Sequence, residues 1–172
     1  MMAQRYSILA SILLMSLTAC GPKHHIAKGD EHLQGHRPDA AAAEYQRALD
    51  KDPTAIGALR GMAAAHLDRD QPVRAIIPAQ RASKAGDIPA HRLLARALIT
   101  TGRSADALRI IEKARAIVPD HHAFRLLLVE ALIADGQLDV AADTADELLI
   151  DIQSNAARSL HAWTLSRANR VE

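Results

Sequence analysis

Cysteine is almost missing from this chain. Cys20 stands alone among 172 residues, so no internal disulfide can staple the fold. Aromatic residues are nearly as scarce: Tyr6, Tyr45, Phe124 and Trp163 are the whole set. A core without rings must be built from Leu, Ile, Val and much Ala, which suits closely packed helices. The eight glycines are scattered singly, which leaves no Gly-rich loop to cradle a phosphate. Neither C-x-x-C, H-E-x-x-H nor G-x-S-x-G occurs. Charge of one sign is also missing, since 21 Lys and Arg face 20 Asp and Glu. That balance argues against a nucleic-acid binder held by bulk electrostatics.

The remaining polar groups offer little chemistry. Asp143 and Glu147 are four residues apart and share a helix face, where two solvated carboxylates are the plainer reading than a catalytic dyad. Among the nine histidines, His32 and His36 have the i,i+4 spacing that chelates a metal on a helix. Gly35 and Pro38 end the helix near His36, however, and no carboxylate completes a site. His24, His25, His121 and His122 read as polar surface residues. The expectation is a chain with no catalytic residues, no cofactor and no metal.

The one cysteine sits at a boundary. Arg5 supplies a positive n-region, and Ile8 to Ala19 forms an apolar run of 12 residues, about 18 Å as a helix. A bilayer core of about 30 Å needs some 20 residues, so the run is too short for a permanent span. Leu17-Thr18-Ala19-Cys20 resembles the lipobox of bacterial lipoproteins. The resemblance implies cleavage before Cys20 and acylation of Cys20, with residues 1–19 as signal peptide and 20–25 as a lipidated tether. Two or more acyl chains make membrane attachment stable. Gly21, standing where an inner-membrane lipoprotein would carry Asp, implies the outer membrane, facing the periplasm. A plain signal peptide with a chance cysteine, or an uncleaved anchor, is the competing reading.

Beyond the tether the sequence repeats itself. Ala41, Ala75, Ala107 and Ala141 fall 34, 32 and 34 residues apart. Ala48, Ala82 and Ala114 repeat the first two spacings, and Leu148 takes the fourth place. Pro53 and Pro119 each follow the first Ala of their repeat by 12 residues, and Gly35, Gly102 and Gly136 precede it by five or six. Small residues at a fixed place let two helices approach, and the closing proline ends the second. This pattern resembles the tetratricopeptide repeat, or TPR, a pair of antiparallel helices. The resemblance implies an all-α, right-handed superhelix of about four repeats, at 26–53, 54–87, 88–119 and 120–153, with a capping helix over 154–172. The second repeat is irregular: Asp87 replaces the closing proline, and Pro78 falls inside a helix, where it predicts a kink. In the capping helix Asn155 reads as N-cap, with Leu160, Trp163 and Leu165 covering the last repeat.

The resemblance also implies a working surface. The first helix of each TPR lines a concave groove, which places Asp30 and Leu33, Arg60 and Ala64, Arg92 and Arg96, then Leu126 and Glu130 along it. Arg92 and Arg96, four apart, can converge, and Arg60 would extend the basic patch. Guanidinium pairs grip carboxylates in a planar, two-pronged way. An acidic segment or a C-terminal carboxylate is therefore the expected guest. The sequence reads as a lipid-anchored, non-enzymatic TPR adaptor serving assembly of an envelope machine such as a pilus or secretion system. Two other classes stay open: a small-ligand or metal-binding envelope lipoprotein, and a homo-oligomeric envelope structural protein.

Overall fold

A computed structural model describes residues 21–119, 121–151, 162–164 and 166. The signal segment, Cys20 and most of the expected capping helix lie outside the described residues. Eight helices fill the described array: α1 (Pro22–Gln34), α2 (Pro38–Lys51), α3 (Ile56–Asp68), α4 (Pro72–Lys84), α5 (Ile88–Thr100), α6 (Ser104–Ile117), α7 (His122–Ala134) and α8 (Leu138–Asp151). No described helix is long and apolar enough to cross a membrane.

The helices form four hairpins, each joined by three residues. The middle residue of each connector is left-handed: His36 (φ 54°), Asp70 (φ 54°), Gly102 (φ 72°) and Gly136 (φ 82°). The next residue then donates back across the turn: Arg37 to the His32 carbonyl, Gln71 to His66, Arg103 to Leu98 and Gln137 to Leu132, at 2.8–2.9 Å. This is the Schellman arrangement, which satisfies the last carbonyls of a helix and reverses the chain. Gly35 is not the turn residue of the first hairpin. Its φ is −80°, and the strained place belongs to His36.

Ala41, Ala75, Ala107 and Ala141 are fully or almost fully buried, as are Ala48, Ala82, Ala114 and Leu148. They lie where second helices cross first helices. The first helices α1, α3, α5 and α7 also pack in a row, whereas among the described elements the second helices touch only first helices. Two unequal layers result, an inner wall of first helices and an outer set of separated second helices. That layout is a superhelical stack.

The start of the array differs from expectation. α1 begins at Pro22, so residues 22–25 are helix rather than tether. Pro22 at the first helical position has its φ already set and lacks an N–H that would go unpaired there. His25 is then carried inward to 9% exposure, where its Nδ1 lies 2.7 Å from Oε2 of Glu44 on α2. Glu44 also accepts from Arg47. The hydrogen bond with His25 is the main reason that the Glu44 carboxyl is held below the ordinary carboxylate range, against the opposing effect of burial. His91 is buried too, with Nδ1 3.0 Å from the Asp87 carbonyl. Neither His25 nor His91 is a surface histidine. Both have local partners that a one-dimensional pattern does not display.

α4 runs through Pro78 as a single helix. Asp87, in the place of the closing proline, caps α5 by accepting from the Ala90 amide at 2.8 Å. Of the capping segment, residues 162–164 and 166 are helical. Thr164 is buried and Trp163, expected on the covering face, is 43% exposed. Asn155, Leu160 and Leu165 lie outside the described residues.

Tyr45 supplies the ring at the N-terminal end. It is fully buried among Ala41, Ala48, Ala58 and Met62, and its hydroxyl donates to Asp30 Oδ1 at 2.7 Å. A Cβ added at Gly61 would stand 2.2 Å from the ring, and one at Gly29 would stand 2.5 Å from it. The two glycines, on α3 and α1, make the slot. Gly61→Ala should therefore lower stability through overpacking, near the upper end of about 1–3 kcal/mol, which exceeds the roughly 1 kcal/mol gained in helix propensity. In a Tyr45→Leu background the slot is vacant and the sign should reverse. Urea midpoints of the four proteins of this cycle check both halves.

Candidate functional site

α5 and α7 are neighbours on the inner wall. The Asp87 cap and Pro89 in the first turn start α5, and the register then sends Leu94 and Leu98 into the core and leaves Arg92 and Arg96 exposed. α7 starts at His122. His121 caps it through Nδ1, which accepts from Ala123, and its ring stacks edge-on against buried Phe124 at 5.4 Å.

Between these helices lies an open trough of about 550 Å³, lined on α5 by Arg92, Arg96, Ile99 and Thr100. Ala123, Leu126, Leu127 and Glu130 of α7 form the other bank. A smaller hollow of about 150 Å³ adjoins it, made by Ile88, Pro89, Arg92, His121 and Phe124. Arg92 borders both. Within the described residues neither the Arg92 nor the Arg96 side chain makes a hydrogen bond or an ion pair. Arg96 acts on Glu130 through its field alone: desolvation pushes the Glu130 carboxyl above its ordinary range, and the guanidinium opposes that shift.

The expected groove residues divide into two groups. Arg92, Arg96, Leu126 and Glu130 come together in the trough. Arg60 does not join them, because its Nη1 is ion-paired at 2.8 Å with Asp87 Oδ2. Asp30 is held by Tyr45, and Leu33 and Ala64 pack against the two core clusters of their helices. The basic patch is thus a pair of arginines rather than three. Phe124, His121 and Ile99 were not anticipated. Ile99 lies three residues after Arg96 on the same face, and Phe124 lies just after the proline that ends the third repeat, so helical register carried a signal for both.

Thr100, the one hydroxyl among the trough's lining residues, donates to the Arg96 carbonyl at 2.9 Å. Among the described residues no cluster of three or more His, Cys, Asp or Glu could hold a metal. The trough carries two planar cations, each with five N–H donors, beside apolar side chains and the Glu130 carboxylate.

Two family models, both described as Tetratricopeptide repeat, match residues 26–88 and 98–164. The chain is a tetratricopeptide repeat protein. Solved structures agree on the fold. The thermophilic TPR protein of Thermus thermophilus is 19% identical, with 87% of this chain and 84% of that one covered at a TM-score of 0.71. YrrB, described as a TPR protein with an unusual peptide-binding site, is 17% identical over 92% and 83%, at 0.74. Residues 41 to the end of MamA from Desulfovibrio magneticus are 16% identical over 86% and 85%, at 0.76. A search of curated proteins gives no match.

Replacing Arg96 by Gln should move the Glu130 titration midpoint further upward, because the one favourable charge acting on that carboxyl is withdrawn. Carboxyl ¹³C shifts followed through an acid titration would show it. An unmoved midpoint would place the guanidinium away from Glu130.

Proposed function

We propose that this TPR protein is a non-enzymatic adaptor that holds an acidic or C-terminal peptide segment of a protein partner in the α5–α7 trough. The trough itself carries this reading: among the described residues Arg92 and Arg96 have no ion-pair or hydrogen-bond partner, and both stand beside the partly exposed Ile99 and Leu126. Leaving two guanidiniums unpaired contributes nothing to the stack, whereas Arg60 and Asp30 are tied into it. A carboxylate takes both prongs of a guanidinium, and the partly exposed Leu126 and Ile99 suit apolar side chains of an extended segment. The hollow beside Arg92 suits one further apolar side chain next to that carboxylate. The peptide-binding site named for YrrB is consistent with this use of the fold.

The test is a peptide array that presents acidic segments and free C termini beside amidated, charge-neutral counterparts. Free or acidic peptides should bind, and Arg92→Glu with Arg96→Glu should weaken them at least about tenfold, as loss of a charge-assisted pair implies, with helicity unchanged. Equal binding of neutral peptides, or binding untouched by the double reversal, would sink the reading.

The Leu17-Thr18-Ala19-Cys20 run supports lipid attachment at Cys20, in the bacterial envelope and on the periplasmic side of the outer membrane, where the adaptor would serve assembly of an envelope machine. With α1 starting at Pro22, a lipid on Cys20 would be separated from the stack by Gly21 alone, and the array would stand against the bilayer. Growth with labelled palmitate should label the wild-type chain and leave Cys20→Ser unlabelled. Label retained by the serine variant would exclude this attachment.

A further inference from the structure

The outer side of the stack carries a second surface, independent of the trough. α4 contains Arg74, Arg81 and Lys84 and no acidic residue, and it displays Val73 at 70% and Ile77 at 67% exposure, one turn apart. α4 and α6 do not pack together. Between them is a cleft of about 270 Å³, floored by Leu94 and Leu98 of α5 and walled in part by Ile76 and Ile110. Arg103, Arg109 and Lys113 stand on its α6 side. The counter-charges nearby are Asp106, already bound to Arg103 and Arg109, and Glu112. This is an apolar seam with surplus positive charge along its edge.

α8 has the opposite character. It contains five carboxylate residues and no Lys or Arg. Asp139, Asp143 and Glu147 are exposed and four residues apart, a straight stripe about 12 Å long at 1.5 Å per residue. Val140 lies beside that stripe at 50% exposure. The whole chain has a formal charge of only +1, so the two surfaces are segregated patches rather than expressions of net charge. They do not meet within one chain, since α8 packs on α7 and touches neither α4 nor α6.

We infer that α8 of one copy docks along the α4–α6 cleft of a second copy, Val140 toward the Val73–Ile77 seam and the carboxylate stripe toward Arg109 and Lys113. A helix of this length, about 21 Å, forms a contact at the small end of specific interfaces, below roughly 1,200 Å² in total. Association is therefore weak and screened by salt. An anionic bilayer would also attract the cleft but gives the acidic stripe no partner. The second copy matches both surfaces.

The test uses the full chain in detergent micelles, with one population ¹⁵N-labelled and a carbodiimide joining carboxylates to lysine amines. Crosslinks between copies should connect Asp143 or Glu147 to Lys113 or Lys84, and should fall at least about fivefold between about 50 mM and about 500 mM NaCl. In sedimentation, Asp143→Lys with Glu147→Lys should be single chains, and so should Arg109→Glu with Lys113→Glu. Mixing the two variants should restore association, because each now complements the other. All four positions are at the surface, and circular dichroism checks that both variants are folded. Single-chain mass for the wild type at low salt would overturn the inference. So would association that survives both reversals, no recovery on mixing, or a cleft that binds phosphatidylglycerol vesicles while the protein remains single.

Discussion

Everything in this molecule depends on how closely two helix backbones can approach. Ala41, Ala75, Ala107 and Ala141 occupy the crossing points of the hairpins and are essentially without solvent contact. A methyl group there leaves no room for water and none for a larger side chain, and interiors are packed too densely to absorb one. The crossing fixes the hairpin, the hairpin fixes which face of each first helix turns inward, and the row of first helices becomes the inner wall. Beside the Ala41 crossing, the Tyr45 ring sits between Gly29 of α1 and Gly61 of α3, a second close approach that joins the first hairpin to the next.

The place of the proposed binding surface follows from which charges the stack consumes. Asp87 caps α5 with one oxygen and holds Arg60 with the other, which joins α3 to α5 at the point where a closing proline is missing. Asp30 is taken by Tyr45. These commitments leave the N-terminal half of the wall occupied with its own cohesion. In the other half Leu94, Leu98, Phe124 and Leu127 form the core by apolar contact alone, and the arginines above it are left over. The unpaired arginines lie where stability has no need of charge.

Much of this was legible in one dimension. The alanine spacings carry the hairpin period directly, because each crossing admits only a small residue, and the arginines at 92 and 96 follow from helical register. Less legible was anything decided between helices. The pairing of Arg60 with Asp87 spans 27 residues and depends on how two hairpins abut. His25 looked polar and exposed beside Lys23 and His24, yet a carboxylate on the next helix makes its burial tolerable. The first turn places its left-handed residue at His36 rather than at a glycine, where the back-bonding of Arg37 holds an otherwise unfavourable conformation.

α5 joins the two outward-looking surfaces. Arg92 and Arg96 face the trough, while Leu94 and Leu98, on its opposite side, floor the cleft between α4 and α6. In a solenoid each element contacts only near neighbours, so stability and coupling run along the stack through one helix at a time. A guest that drew α5 toward α7 would shift the floor under α4 and α6 by the same rigid displacement. Thermodynamic reciprocity then requires that a second chain seated in that cleft alter affinity in the trough by the same factor. Both effects would vanish together if α5 stayed still. The two proposed contacts would both set carboxylates against cations, one on each side of α5, and would share that helix as a single mechanical element.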